Sequence, residues 1–393
     1  MSLAALATDN TLATRAQRVA AVAAEFADRV DAEGRFPCEA IDAMKAERLL
    51  GIQVPSAHGG ESASLVEIAE VCSILGQACA SSAMIFAMHH IKLSSLVEHY
   101  QSSAWHTGFM QEVAGRQLLL GSATTEGGIG GNLRNSICAI EIDGATCRLT
   151  KEATVISYGI ESDAILITSR ANADAAPSDQ VMTVFRKDQY TLEHTHDWDT
   201  LGMRGTCSDG FLFRGEAPAE QVFPQPFAEI AAQSMLATCH LLWSAVWFGI
   251  AADAVSRAQS FVRAAARKTA GQVPPGALHL AEASNLLQMV KSSLLSGIRT
   301  YEDAKADGEK LSSMGFAIAM NNIKIASSQT ILDIINKAML ICGIMGYKNG
   351  TPYSLGRHLR DAHSAQLMIS NDRILANSST MLLVQKPDFS LLG

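Results

Sequence analysis

The stretch Ile137-Cys138-Ala139-Ile140-Glu141-Ile142-Asp143-Gly144-Ala145-Thr146-Cys147-Arg148-Leu149 decides the architecture. Apolar residues alternate on both sides of Asp143-Gly144, and period-two alternation around such a dipeptide predicts a β-hairpin. Similar short runs rich in Leu, Ile, Val and Thr surround it between Gln117 and Val222: Leu118 to Leu120, Thr154 to Ser157, Ala164 to Thr168, Val181 to Phe185 and Phe211 to Phe213. Six or seven short strands separated by turn residues predict a small barrel or sandwich.

On either side of this region the spacing becomes helical. From about Thr14 to Val113 apolar residues fall on one face, as in Leu65, Ile68, Cys72, Leu75 and Cys79, continued by Met84, Ile85 and Met88. Helical spacing returns in Phe227 to Ala270, Leu278 to Asp307, Met314 to Cys342 and a shorter segment from Arg357 to Asn377, with Gly/Pro breaks at 271–276 and 346–352. The expected fold is a multidomain α+β chain: a helical domain over 1–115, a β domain over 116–224 and a C-terminal four-helix bundle over 225–393.

Composition narrows the function classes. The chain has 393 residues, enough for two or three packed units, and its net charge of −8 comes without any Lys/Arg run. Neither nucleic acid nor an anionic membrane is an expected partner. Eight cysteines show no CxxC spacing, so neither a metal site nor a disulfide framework is expected. Met1 to Thr14 lacks a basic segment followed by an apolar one, which predicts a cytoplasmic protein with free thiols. Met235 to Ala252 runs eighteen residues without a charge, borderline for a membrane span. A buried helix of a large bundle is the expected reading, because the run holds His240 and Ser244 and lacks basic flanks.

Several local motifs carry chemistry. In Ala123-Thr124-Thr125-Glu126-Gly127-Gly128-Ile129-Gly130-Gly131-Asn132 the glycines let backbone N–H groups approach a planar or anionic ligand, and the threonine hydroxyls can bond ring heteroatoms. The competing reading is an ordinary glycine-rich turn. Taken with Gly51-Ile52-Gln53-Val54-Pro55, Trp198-Asp199-Thr200-Leu201-Gly202-Met203-Arg204-Gly205-Thr206, Gly343-Ile344-Met345-Gly346-Tyr347 and Arg360-Asp361-Ala362, in that order, the chain resembles the acyl-CoA dehydrogenase flavoproteins over nearly its whole length.

That resemblance implies FAD, or FMN in the related flavin monooxygenases, contacted by Thr124, Thr125, Gly130 and Gly131. It also aligns Val155, Ile156 and Ser157 with the family's Trp-Ile-Thr, so the hydroxyl survives and the indole is gone. Arg267 with Lys268 and Gly271 resembles the segment whose arginine reaches the flavin pyrophosphate of a neighbouring subunit, and Gly343, Ile344 and Gly346 stand where the family has its GG-x-GY segment and are expected to contact the cofactor. A homodimer or homotetramer follows from that role. A lone arginine in the last turn of a helix is the plainer alternative.

The resemblance departs at the reactive centre. The family's glutamate base lies nine residues after the arginine, where this chain has Ile369; the alternative family position falls on Cys239, ten residues before Gly249. Neither is a carboxylate. The surviving candidate base is His240, an imidazole on an apolar helix that is equally readable as a core histidine. His89, followed by His90, and Asp372 are the other candidates; the histidines also read as helix-terminal residues favoured by the dipole, and Asp372 as a cap or a partner of Arg373.

Three functions are compatible with these residues, and the order of motifs along the whole chain makes the first the expected one, with the second as its alternative. One is α,β-dehydrogenation of an acyl thioester, on CoA or a carrier protein, by an atypical base with an electron-transfer partner. The second is a monooxygenase or N-hydroxylase of the same fold that uses O2 and reduced flavin from a reductase and needs no carboxylate base. The third is a non-catalytic protein built on the flavin fold.

Overall fold

A computed structural model describes residues 10–128, 133–268 and 272–386. The N-terminal helices are α1 (Leu12–Glu33), α2 (Cys38–Ala46), α3 (Leu65–Ala78), α4 (Ala80–His99) and α5 (Ala104–Arg116). Two of them begin or end on recognisable chemistry. The Thr11 hydroxyl accepts from the Thr14 N–H to start α1, Gly34 ends it at φ +61°, and Ser64 with Glu67 forms a capping box on α3.

Seven strands follow: β1 (Leu120–Ala123), β2 (Glu141–Asp143), β3 (Thr146–Ala153), β4 (Ala164–Arg170), β5 (Gln180–Arg186), β6 (Tyr190–His196) and β7 (Gly210–Pro218). They make two sheets, ordered β1-β4-β5 and β2-β3-β7-β6, with β1 parallel to β4 and the other pairs antiparallel. The inner faces share one core that includes Ile140, Leu149, Ile165, Ile167, Phe185, Phe211 and Phe213. The module is therefore a sandwich and not a closed barrel. The hairpin forms where expected, with Asp143 opposite Thr146 and Gly144 at φ +58°.

Two strand expectations need correction. Thr154 to Ser157 is not a strand; it leaves the ladder after Ala153 and turns, so that its residues serve the site described below. Tyr190 to His196 is a strand that the apolar pattern does not reveal. It pairs through β7 alone and is mostly exposed, so burial never selected an apolar face for it.

The C-terminal bundle consists of α6 (Phe227–Ala266), α7 (Ala277–Ala306) and α8 (Met314–Cys342), followed by α9 (Gly356–His363) and α10 (Asn371–Leu382). The segment expected as one helix from Arg357 to Asn377 is broken at 364–370, where Ile369 takes a left-handed φ of +51°. Helix α6 is long and apolar enough to cross a membrane, but 78% of its apolar window is buried within the protein. It is the central strut, packed on α3 and α4 as well as on α7 and α8.

The α3–α6 crossing depends on two glycines. A Cβ at Gly249 would lie 2.3 Å from the Ser73 carbonyl oxygen and 3.0 Å from the Gly76 Cα. Backbone cannot yield there cheaply, so Gly249→Ala is expected to cost about 2–3 kcal/mol, measurable as a lowered Tm. An unchanged Tm would mean that the helices do not cross this closely.

Candidate active site

A cavity of about 660 Å³ opens where α4, the β sandwich, α6 and the segment after α9 meet. Thr124, Thr125, Val155, Ser157 and Ser208 form its β wall, Met84, Met88 and Lys92 come from α4, and Met235, Cys239, His240 and Trp243 from α6. Leu367, Met368, Ile369 and Arg373 close the remaining side. No Asp or Glu lines it among the described residues.

The Trp198 and Arg360 motifs work as architecture. Gly202 packs against the α9 backbone, where a Cβ would lie 2.3 Å from the Arg360 carbonyl oxygen. Asp361 accepts from the Met203 N–H at 2.7 Å, and Arg360 pairs with Asp31 while donating to Leu201 O. Burial raises the Asp361 carboxyl to about 6. These contacts tie the last helices to the sandwich and so fix the rear of the cavity.

The β wall ends in a hydroxyl chain. Thr206 Oγ1 donates to Met203 O at 2.9 Å, so it must accept from Ser208 Oγ at 2.8 Å, and Ser208 must in turn accept from Ser157 Oγ at 2.8 Å. With its one proton spent inward, Ser157 faces the cavity as an acceptor. Thr125 Oγ1 donates to Val155 O, and Glu126 holds the loop by accepting from Ser136 Oγ, Ile137 N and Cys138 N.

On α6 a π turn over Ala231–Met235 precedes the residues that enter the cavity. His240 is buried and accepts no solvent. Asn321 Nδ2 donates to Ser378 Oγ, which turns the Asn321 carbonyl toward His240 Nε2 at 3.2 Å and assigns the proton to that nitrogen. Nδ1 is left as a lone pair without a partner. Burial lowers this imidazole to about 4, so it is neutral at pH 7 and a weak base. Cys239 is held as a neutral thiol, its pKa pushed up to about 12 by burial.

Ile156 points into the sandwich core, while its neighbours Val155 and Ser157 line the cavity. His89 lies mid-helix in α4, with Nε2 donating to Leu50 O at 2.7 Å and Nδ1 accepting from Leu120 N at 3.0 Å. Both nitrogens are occupied by backbone, and the helix-terminal reading of His89 and His90 does not hold. Asp372 is exposed in the first turn of α10 and does not line the cavity. Gly130 and Gly131 lie outside the described residues.

Arg267, Gly343, Ile344 and Gly346 gather at the other end of the bundle, roughly 30–40 Å along α6 and α8 from His240 and Asn321. None lines the cavity. Gly343 adopts φ +54°, ψ −137°, a conformation that suits glycine, and Ile344 and Tyr347 beside it are exposed.

Two lysines escape a motif search. Lys92 is 4% exposed, and its described hydrogen bond is to Met235 Sδ at 3.2 Å. Lys324 is fully buried behind the cavity, donating to Ile369 O and Asn371 Oδ1, each at 2.7 Å. The legible signal for Lys92 is its place on the apolar stripe of Met84 and Met88 at four-residue spacing, where a charge is out of pattern. At the surface, His194, Asp197 and Asp209 bring ligand atoms within 4.8 Å of one another; exposed groups of this kind are common without an ion, and no metal role is assigned.

These residues fit an isoalloxazine. Hydroxyls line one wall and apolar or aromatic groups the other, the volume suits a ring system with a small second molecule, and two buried polar atoms, His240 Nδ1 and Trp243 Nε1, lack partners.

Comparison with known proteins agrees. Residues 8–116 match the acyl-CoA dehydrogenase N-terminal domain and residues 230–377 the C-terminal domain. A cyclohex-1-ene-1-carbonyl-CoA dehydrogenase of Geobacter metallireducens is 24% identical over 354 residues, 88% of this chain and 89% of that protein. A probable FMNH2-dependent monooxygenase, SfnC of Pseudomonas putida, is 23% identical over 341 residues, 84% of each. The FMN-bound TdsC structure from Paenibacillus sp. A11-2 superposes with a TM-score of 0.83 at 16% identity, covering 97% of this chain and 100% of that one, which establishes a shared fold.

Proposed function

This chain belongs to the acyl-CoA dehydrogenase family, and from that premise we propose that it is a flavin-dependent monooxygenase that receives reduced flavin from a reductase and oxygenates a small molecule. The observation that carries the reading is the cavity's lack of any Asp or Glu among the described residues. Abstraction of an α-proton from a thioester needs a base within reach, whereas oxygen transfer does not.

Thr124, Thr125, Val155 and Ser157 would hold the ring, and when bound the reduced flavin supplies activation of O2. Ser157 presents an acceptor to the cavity, and a reduced isoalloxazine carries N–H donors that the oxidised ring lacks. The β wall thereby favours the reduced cofactor. His240 Nδ1 can accept a hydrogen bond or a proton from substrate, while Trp243 and Met88 exclude water. FMN suffices for this reading, since Arg267, Gly343, Ile344 and Gly346 could meet an adenine dinucleotide only from another copy of the chain.

The test is oxygen uptake with a flavin reductase supplying FMNH2, together with anaerobic exposure of the flavin-loaded protein to acyl thioesters. Substrate-dependent uptake and an unchanged flavin spectrum are expected; bleaching of the visible band by a thioester would overturn the proposal. Ser157→Ala should weaken reduced FMN binding by about tenfold, the worth of one hydrogen bond, with a smaller change for oxidised FMN. Equal weakening of both would remove the argument from the hydroxyl chain.

A second reading, thioester dehydrogenation with His240 as base, is favoured by that residue's place in the cavity wall and its buried Nδ1 without a partner. In that case thioester-driven bleaching would occur in the native protein and be lost in His240→Ala.

A further inference from the structure

Lys92 is unexplained by a flavin alone. Its ammonium is buried, and its described hydrogen bond is to a thioether, a weak acceptor. Carrying a cation into such a place costs free energy unless an anion meets it. Among the described residues no counter-ion is supplied from the surrounding elements: on α6 the Cys239 thiol stays protonated, His240 is neutral at pH 7, and the more distant Lys151 on β3 repels it. The other ionisable groups around the cavity, Arg360, His363 and Arg373, are basic too.

Burial lowers the amine to about 8, which leaves it mainly charged at neutral pH. Met84, Met88 and Trp243 provide apolar surface beside it, whereas the hydroxyls assigned to the flavin lie on the sandwich side. A substrate can therefore place its apolar body among those side chains with a charged end against the lysine.

We propose that Lys92 determines specificity, selecting a small substrate with an apolar or aromatic body and a compact oxyanion, such as a carboxylate or sulfinate, that pairs with its ammonium. This rests on the assignment of the cavity as a substrate site beside flavin, although the anion preference itself needs no cofactor.

The experiment uses the full-length protein at pH 7, with and without FMN, and titrates benzoate and benzenesulfinate against the uncharged isostere benzamide. Native protein should bind the two anions at least about tenfold more tightly than the amide, and Lys92→Met should erase that preference while retaining benzamide binding. Lys92→Gln, which keeps a polar terminus, serves if the methionine variant does not fold, and it should also lose the preference. Absence of anion preference in the native protein, or its survival in the variant, overturns the proposal. FMN binding followed by fluorescence quenching separates the two assignments. Anion preference without FMN binding would overturn the flavin site alone; FMN binding without anion preference would overturn only the role of Lys92.

Discussion

Acidification from pH 7 should unfold the protein between about pH 6 and pH 4, before its paired carboxylates titrate. Burial holds His89, His106 and His240 each at about 4, against an ordinary value of 6.5, and pushes His90 well below it. For a base whose folded pKa is depressed, the unfolded chain binds the extra proton, so stability falls as pH drops below 6.5 and the loss is complete only near the folded value. By pH 5 each of the three imidazoles held at about 4 has cost about 2 kcal/mol, and together that is comparable with the whole stability of a typical domain. His99 and His358 are also lowered by burial and act in the same direction.

One group opposes the trend. Asp361, raised to about 6 by burial, relieves its charge as it protonates and returns about 1–2 kcal/mol by pH 5. The histidines outweigh it. Tryptophan fluorescence and circular dichroism across pH 7 to 4 should show a cooperative transition with uptake of several protons. His106→Leu should move the midpoint to lower pH, because the site packs that ring 4.2 Å from Phe223 and a leucine cannot charge there. A native spectrum retained at pH 4 would show that these imidazoles are less desolvated than their burial implies.

The extent to which this molecule was legible in its sequence follows from what each signal measures. Periodicity reports burial, so the long helices and the hairpin at Asp143-Gly144 were readable, whereas the exposed strand Tyr190–His196 was not. Glycine motifs report close backbone approach. That is why Gly202 could be singled out, although its structural purpose, contact with the α9 backbone, needed coordinates. Site residues on the β wall came through resemblance; Lys92 did not, since no motif contains it and only the placement of a charge on a buried stripe marks it. The hydroxyl chain from Ser157 to Thr206 joins residues some fifty positions apart and has no local signature.

Lys324→Met should release the segment that closes the cavity. The Lys324 ammonium is fully buried 5.7 Å from the Trp247 ring centroid and holds Ile369 O and Asn371 Oδ1 together, while Asn371 Nδ2 donates to Ser328 Oγ at 3.0 Å. That tether maintains Ile369 at φ +51°, a conformation that strains a β-branched residue by about 1–3 kcal/mol. Methionine fills similar space but leaves the part-buried Ile369 carbonyl and the buried Asn371 Oδ1 without the cation, a loss of about 3 kcal/mol that the segment can escape by opening. Hydrogen exchange at 364–371 should rise by about a hundredfold and small-molecule affinity should fall, with α3 and α4 as protected as before. Ile369→Gly should act in the opposite sense on the backbone, gaining about 1 kcal/mol by removing the strained side chain and keeping the tether. The carbonyl at 369 does the structural work, so the side chain at that position can change without disturbing the wall. Unchanged exchange at 364–371 in Lys324→Met would refute that division between backbone and side chain.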